Sequence, residues 1–300
     1  AVYAQLANTT SLVGTVTDSA GAAMPDVSVT ATNTATQDTY KVATNTDGNY
    51  TIPFPRIGAY RIEATHAGFQ TMTKTGITVD QNQTVRTDFA LQVGQVSQNI
   101  EVKATTPPIS TDDASIREVV GQQAVADLPL NGRDPLQLAT LTAGVLPGQK
   151  AANGVPPGED FIGAGTREIQ NSVSLDGIAI MNNLITTTPY HPSPDALAAF
   201  LEQTGTYSAQ YGAYLGPHLN LVTKSGTNDL HGALWEFIRN NALDARNFFL
   251  TPTAPKAPLR QNQFGFELGG PVWIPKLYDG RNKTFFMIDY EGLRLIKNVT

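Results

Sequence analysis

The sequence contains no cysteine, which excludes disulfide bonds, iron–sulfur clusters and cysteine-ligated zinc sites from these 300 residues. Charged residues make up only 15% of the positions, a low share for a soluble globular protein. The formal net charge is −6 and no block of basic residues occurs, so we expect no nucleic-acid binding. No run reaches the about 18 apolar residues that a membrane-spanning helix needs.

Catalytic and metal-binding patterns are also lacking. The four histidines show no His-Glu-x-x-His spacing, and "TKSG" at 223–226 lacks the preceding glycine of a phosphate-binding loop. "TDGNY" at 46–50 lacks the alternating ligands of an EF-hand and is typical of a hairpin turn. The sequence therefore predicts a protein that is not an enzyme and has no cofactor or metal site.

Short segments in which apolar and polar residues alternate are abundant in the first third of the chain. Residues 11–103 contain about seven of them, separated by turn signals, and this spacing predicts an antiparallel β-sandwich of immunoglobulin-like or transthyretin-like type. Apolar alternate positions give the predicted core, namely Val13, Val16, Val27, Val29, Val42, Tyr50, Ile52, Tyr60, Ile62, Phe69, Val79, Val85, Phe89 and Leu91. Residues 1–10 begin with "AVYAQ", similar to the tail of a secretory signal, and we expect a signal remnant or disordered start there. A fragment that begins at this point is the alternative.

Residues 104–115 are rich in proline and polar residues and predict a linker. Residues 116–228 then predict a mixed α+β domain. Helical spacing occurs in "REVVGQQAVADLPL" and "DPLQLATLTAGV", and "SPDALAAFLEQTG" predicts a short helix capped near Ser193 or Asp195, followed by a strand. "SVSLDGIAI" predicts two strands joined by a turn at Asp176 and Gly177, and "HLNLVTKSGTN" predicts a further strand.

Residues 229–300 contain longer and more aromatic strands, "LHGALWEFIRN", "NQFGFELGGPVWI" and "KTFFMIDYEGLRLI". In the third, alternate positions give an apolar face with Phe286, Ile288 and Tyr290, while Asp289 and Glu291 lie on the opposite face. In a soluble sandwich the apolar face would cover a core. In an outer-membrane barrel it would face lipid, and the acidic face would point into the lumen.

The order of these segments resembles a known family. "GTVTDSAGAAMPDVSVTAT" and "TNTDGNYTIPFPRIGAYRIEATHAGF" resemble the carboxypeptidase-regulatory-like domain. "LPLNGRDPLQLATLTAGV", "SLDGI", "YSAQYG" and "LNLVTKSGTN" resemble the plug domain of TonB-dependent outer-membrane transporters. "HGALWEFIRNNALDARNFF", "RQNQFGFELGGP" and "KTFFMIDYEGLR" are similar to the first barrel strands of the Oar-like subgroup.

The resemblance implies an outer-membrane location, with the sandwich in the periplasm and the plug gating a lumen. The implied partners are the inner-membrane TonB complex, outer-membrane lipid and a large or scarce nutrient such as a glycan, peptide or chelate. Candidate residues for the plug architecture are Asp176, Gly177, Tyr211, Gly212, Lys224 and Gly226. Candidate lipid-facing residues are Phe264, Phe266, Leu268, Phe286, Ile288 and Tyr290.

The sequence also departs from the family. "YLGPHLNLVTKSG" replaces the usual glycine pair before that strand, and only "NIEVKAT" at 99–105 is a candidate for the segment that TonB binds. A plugged transporter barrel has about 22 strands, and three cannot close one in lipid. We therefore expect the N-terminal part of a longer transporter, a truncated gene product or a shortened form. The alternative function is that of a surface protein for binding, adhesion or self-assembly, without transport.

Overall fold

The computed structural model describes residues 10–80, 83–94, 99–103, 116–128, 130–148, 161–163, 165–167, 170–182, 188–207, 214–246, 248–249, 251 and 256–297. The predictions for residues 1–9 and for the linker at 104–115 lie outside these ranges. The chain is mainly β, as predicted, and its one described α-helix has six residues. Among the described residues, no helix is both long and apolar enough to cross a membrane.

The first unit, residues 10–103, contains two sheets. One has the order β4-β1-β7 with β8 also paired to β1, and the other has the order β3-β2-β5-β6-β9. Three of the pairs, β1 with β7, β1 with β8 and β6 with β9, are parallel, so the purely antiparallel arrangement that we expected is wrong. The strand bounds are β1 Ser11–Asp18, β2 Ser28–Asn33, β3 Thr39–Ala43, β4 Asn49–Pro53, β5 Gly58–Thr65, β6 Thr71–Val79, β7 Thr84–Arg86, β8 Phe89–Leu91 and β9 Asn99–Lys103.

Both sheets contribute to one hydrophobic core, because alternate positions on each strand point the same way. Most of the predicted core residues are buried there. Val13 is an exception, since Leu12 and Val16 occupy the buried face of β1 and Val13 points to the other side. Val42 and Phe69 are only partly buried and pack against the edge of the core.

The middle unit, residues 116–228, contains a five-stranded sheet with the order β10-β15-β16-β13-β14 and a two-stranded sheet of β11 and β12. A hydrophobic core packs against it, centred on Phe200, Leu138, Leu219 and Leu221. The elements are β10 Ile116–Gly121, α1 Gln122–Asp127, 3-10 helices Asn131–Arg133, Pro135–Leu141 and Pro194–Ala196, and strands β11 Val145–Pro147, β12 Phe161–Gly163, β13 Ser172–Leu175, β14 Ile178–Ala179, β15 Leu197–Gly205 and β16 His218–Thr223.

The sequence predicts more helix in this unit than the structure contains. The first predicted helix is divided into strand β10 and the short α1, and the second is a 3-10 helix. The third is reduced to one 3-10 turn, capped by the Ser193 hydroxyl, after which "LAAFLEQTG" forms β15. β15 lies between two other strands and is buried on both faces. A strand in that position has a continuous apolar run, which periodicity cannot distinguish from a buried helix.

The third unit is an antiparallel sheet with the order β17-β18-β21, which matches the three long strands predicted from the sequence. A two-stranded hairpin, β19 and β20, lies between the second and third of them. The bounds are β17 His231–Asn240, β18 Leu259–Pro271, β19 Trp273–Ile274, β20 Tyr278–Asp279 and β21 Phe285–Lys297. We call β17, β18 and β21 the long-strand sheet.

Candidate functional site between the middle unit and the long-strand sheet

The long-strand sheet has two different faces. In the observed register, even-numbered residues of all three strands share one face, with Leu234, Phe266 and Tyr290 in one row. Apolar and aromatic side chains form most of this outer face, which is open: Leu234 is 87% exposed and Tyr290 is 52% exposed. Odd-numbered residues share the inner face, where Trp235, Gly265 and Glu291 form the corresponding row.

Arg133 of the middle unit contacts that inner face. It follows Gly132, and both residues have positive φ angles, 72° and 59°, within the turn of "LNGRDP". A glycine enters this conformation without strain, and the turn sends the arginine side chain out from the middle unit. The side chain is only 14% exposed.

The guanidinium of Arg133 is enclosed by two carboxylates and two aromatic rings. It forms an ion pair with Asp195 of its own unit and donates from Nε to Glu291 of β21 at 3.3 Å. Its Cζ lies 4.3 Å from the ring centroid of Phe237 and 5.6 Å from that of Trp235. Arginine suits such a site because its planar cation both stacks on rings and forms directional hydrogen bonds to carboxylates.

Gln263 of β18 completes this contact. Its side-chain amide donates to Glu291 at 2.8 Å and to the Gly132 carbonyl at 3.3 Å, and the residue is buried. One amide group therefore binds both the acidic residue of the sheet and the backbone of the turn that carries Arg133. A hydrogen bond to an ionised partner is stronger than a neutral one, which favours a fixed position of the turn.

A second ion pair joins the two units in the neighbouring row of the inner face, where Glu267 lies opposite Asp289. The Lys224 ammonium donates to both oxygens of Glu267, at 3.0 and 2.8 Å, and the two side chains are 11% and 10% exposed. Two residues later, Gly226 passes so close to β21 that an added Cβ would lie 2.3 Å from the Phe286 carbonyl oxygen. Only glycine fits this approach without moving the strand backbone.

Asp176 and Gly177, the other described plug candidates, act inside the middle unit. They form the turn between β13 and β14 with φ angles of 50° and 83°. The Asp176 carboxylate accepts from the backbone N–H and the hydroxyl of Thr223, at 2.9 and 2.7 Å, and the Gly177 N–H donates to Asn220 at 3.1 Å. The turn thereby fixes the end of β16, next to Lys224.

The remaining candidates divide into two sets. Tyr211 and Gly212 lie outside the described residues. The six lipid-facing candidates occupy the outer face of β18 and β21, where Phe266 lies opposite Tyr290 and Leu268 lies opposite Ile288. These four side chains are between 38% and 52% exposed, whereas Phe264 and Phe286 are partly buried.

Sequence reasoning missed Arg133, Asp195 and Gln263. The only signal was an arginine next to glycine in a predicted turn, "LNGRDP", and its partner Glu291 is 158 positions away. Among the described residues, no group of three histidine or acidic side chains has the arrangement of a metal site.

Two buried titratable groups lie on opposite sides of the five-stranded sheet. Glu202 is fully buried on the side of the apolar core, and this burial raises its pKa to about 7. His218 is almost fully buried on the other side, where burial lowers its pKa to about 4. Both groups therefore favour their neutral forms within the folded middle unit.

Parts of the chain are similar to known protein families. Residues 222–300 match the family model of an outer membrane beta barrel domain, and residues 11–92 match that of a carboxypeptidase regulatory-like domain. The TonB-dependent transporter Oar of Myxococcus xanthus is 26% identical over 295 residues, 92% of this chain and 26% of that protein. The chain is thus similar in sequence to a TonB-dependent transporter. It spans about a quarter of the length of this curated relative.

Solved structures give a partial likeness. The siderophore receptor PirA from Acinetobacter baumannii is 19% identical, with 52% of this chain and 22% of PirA covered at a TM-score of 0.39. The outer membrane transporter YddB from Escherichia coli is 12% identical, with 52% and 24% covered at a TM-score of 0.42. TonB-dependent transporters are outer-membrane proteins and not enzymes, and both statements agree with what the sequence predicts.

Proposed function

We propose that this chain is the front part of a TonB-dependent importer, which takes up a large or scarce nutrient such as a glycan, peptide or chelate. In this proposal the first unit, 11–103, is a carboxypeptidase-regulatory-like sandwich in the periplasm, joined by the linker 104–115 to a plug, 116–228. Residues 229–300 provide the first strands of the barrel. The plug gates the lumen, and the inner-membrane TonB complex supplies the energy.

One observation carries the proposal: the long-strand sheet presents Glu267 and Glu291 to the middle unit, whereas the described residues leave its largely apolar face exposed. A soluble protein buries the apolar face of a sheet against its core. Here Leu234, Ile288 and Tyr290 are exposed, whereas Glu267 and Glu291 are held by Lys224 and Arg133. This is the arrangement expected for strands with lipid on one side and a plug on the other.

The same contacts suit a plug that has to move. The described links between the two units include ion pairs and hydrogen bonds, all of which water can replace once the surfaces separate. A mechanical pull on the middle unit would therefore break a few polar contacts without exposing its apolar core. Such local opening costs less free energy than global unfolding.

The gating role can be tested without knowledge of the nutrient. We expect the full-length protein lacking residues 116–228 to make Gram-negative cells sensitive to vancomycin, because the open lumen would admit it. Cells with the intact protein, at equal abundance in the outer membrane, are the control. Equal resistance of both strains, with the shortened protein correctly assembled, would contradict a plug at 116–228.

Dependence on TonB requires a separate experiment. Labelled glycans, peptides and ferric chelates are offered to cells that carry the full-length protein, with and without TonB. We expect uptake of at least one class to disappear without TonB, and import that survives the deletion would refute the coupling. A bismaleimide cross-link between Lys224→Cys and Glu267→Cys should also abolish uptake, and a reducible version of the linker should restore it after reduction.

A further inference from the structure

The first unit is bound to the rest of the chain through the turn between β2 and β3. Asn33 fixes this turn, since its side-chain oxygen accepts from the N–H groups of Ala35 and Thr36 at 2.9 and 3.1 Å. The Ala35 carbonyl then accepts from Asn228 twice, from its backbone N–H at 3.2 Å and from its side-chain amide at 3.1 Å. Asn228 lies just before β17, so this contact joins the first unit to the entrance of the long-strand sheet.

Asn228 binds a third segment at the same time. Its amide nitrogen donates to the Asn282 side chain at 2.8 Å, and its amide oxygen accepts from the Asn282 backbone N–H at 2.8 Å. Asn282 lies in the turn between β20 and β21. A single side chain therefore uses both its donor and its acceptor groups to hold together the first unit, the end of the middle unit and a turn of the sheet.

Next to this junction, residues of all three units line a cavity of about 650 Å³ that is partly open to solvent. Asn33, Thr36 and Asp80 of the first unit form one part of its wall, and Lys224 with Glu267 forms another. Charge favours the contact as well. Burial raises the pKa of Asp80, and Arg117 of the middle unit opposes this shift, so the two groups attract each other across the boundary.

The docked first unit therefore limits the access of water to the cavity that the Lys224–Glu267 pair lines, and this pair links the middle unit to the sheet. Attraction between two charges falls as the surrounding dielectric constant rises. Removal of the first unit would open the cavity to bulk water on that side of the pair. Docking of the first unit and attachment of the middle unit are consequently coupled.

We propose that the first unit is a docked cap, which binds through residues 34–37 to Asn228 and stabilises the closed contact between the middle unit and the long-strand sheet. In terms of the proposed transport function, on which this step rests, the cap has to undock before the middle unit can move. The binding surface for the cap is the end of the sheet that carries Asn228 and Asn282.

The test uses the full-length protein in lipid bilayers, in a cysteine-free background, with spin labels at Thr46→Cys and Leu277→Cys. Both positions are exposed, one in the first unit and one in the hairpin beside β21. We expect one narrow distance distribution in the parent protein. Asn228→Asp keeps the oxygen that accepts from Asn282 but places a carboxylate against the Ala35 carbonyl, so we expect a broad distribution from the undocked unit.

Asn241→Asp is the matched control, because it makes the same change at the opposite end of β17, and its distribution should stay narrow. A broad distribution in the parent protein, or a narrow one in Asn228→Asp, would overturn the docked cap.

Hydrogen exchange tests the coupling. Asn228→Asp should accelerate exchange in residues 222–226 about tenfold, which corresponds to about 1.4 kcal/mol. Glu267→Gln should also accelerate it and should broaden the spin-label distance less than Asn228→Asp does, because this change weakens the attachment of the middle unit but keeps the contacts of Asn228 with the cap. Unchanged exchange in Asn228→Asp would refute the coupling. None of these readouts involves import, so the cap and the transport function can fail independently.

Discussion

The first unit and the long-strand sheet are built from strands of similar alternation but place their apolar residues in opposite ways. In the first unit, Leu12, Ile62 and Phe89 point into a core shared by two sheets and are almost completely shielded from solvent. In the long-strand sheet, Leu234 and Ile288 point outward, and Glu267 and Glu291 point toward the rest of the protein. Period-two alternation therefore predicts a strand with two different faces, but it does not determine which face is covered.

The largest expected effect is the difference between isoleucine-to-alanine substitutions in the two regions. Ile62→Ala removes a completely buried side chain from the first unit and should lower its free energy of unfolding by about 2–5 kcal/mol. Ile288→Ala, where the side chain is 51% exposed, should cost less than about 1 kcal/mol in water. Urea denaturation, with hydrogen exchange in each unit as the readout, measures the stability loss of both variants. Equal costs would show that the outer face of the sheet is packed as a core.

The next effect is a charge on the outer face. Ile288→Arg should destabilise the full-length protein in lipid bilayers by about 2–4 kcal/mol if this position lies near the bilayer midplane. Thr51→Arg introduces the same side chain at an exposed strand position of the first unit and should change stability by less than about 0.5 kcal/mol. Reversible urea unfolding from vesicles gives both values. A neutral Ile288→Arg would argue against lipid contact.

The middle unit has a covered sheet as well, and it buries two titratable groups, Glu202 and His218, within that sheet. The pKa of Glu202 is raised on folding, so it stabilises the fold at low pH and loses this contribution as pH rises from about 4.5 to 7. The pKa of His218 is lowered, so its contribution has the opposite slope between about 4 and 6.5. We expect the two slopes to offset each other in the parent protein between pH 4.5 and 6.5.

Glu202→Gln should therefore uncover an acid sensitivity that the parent protein lacks. The variant should lose up to about 3 kcal/mol of stability as pH falls from 6.5 to 4, because Glu202 no longer offsets the contribution of His218. Thermal unfolding of the middle unit across this pH range measures the effect. Identical pH profiles for both proteins would show that Glu202 is charged in the fold or accessible to water.

The smallest expected effect is the difference in stability lost when a largely shielded ion pair and an exposed ion pair are each broken. Arg133→Ala leaves Asp195 and Glu291 without their cation at a largely shielded site and should cost about 1–3 kcal/mol. Arg56→Ala in the first unit breaks a 3.3 Å pair with Asp38 in which the arginine side chain is 61% exposed, and should cost about 0–1 kcal/mol. Chemical denaturation measures both variants. Equal losses would mean that the Arg133 contact is solvated and contributes little to closure.

Alternation and turn residues act over a few positions, so the amino-acid sequence predicts where most strands lie. It determined the two faces of β18 and β21, the Asp176–Gly177 turn and most of the first core. Only the tertiary structure decided that "LAAFLEQTG" is a strand, since strands on both sides bury both of its faces. Only the tertiary structure brought Arg133 to Glu291 and Ala35 to Asn228, because such contacts depend on how whole units pack, and no local pattern encodes a partner more than 150 residues away.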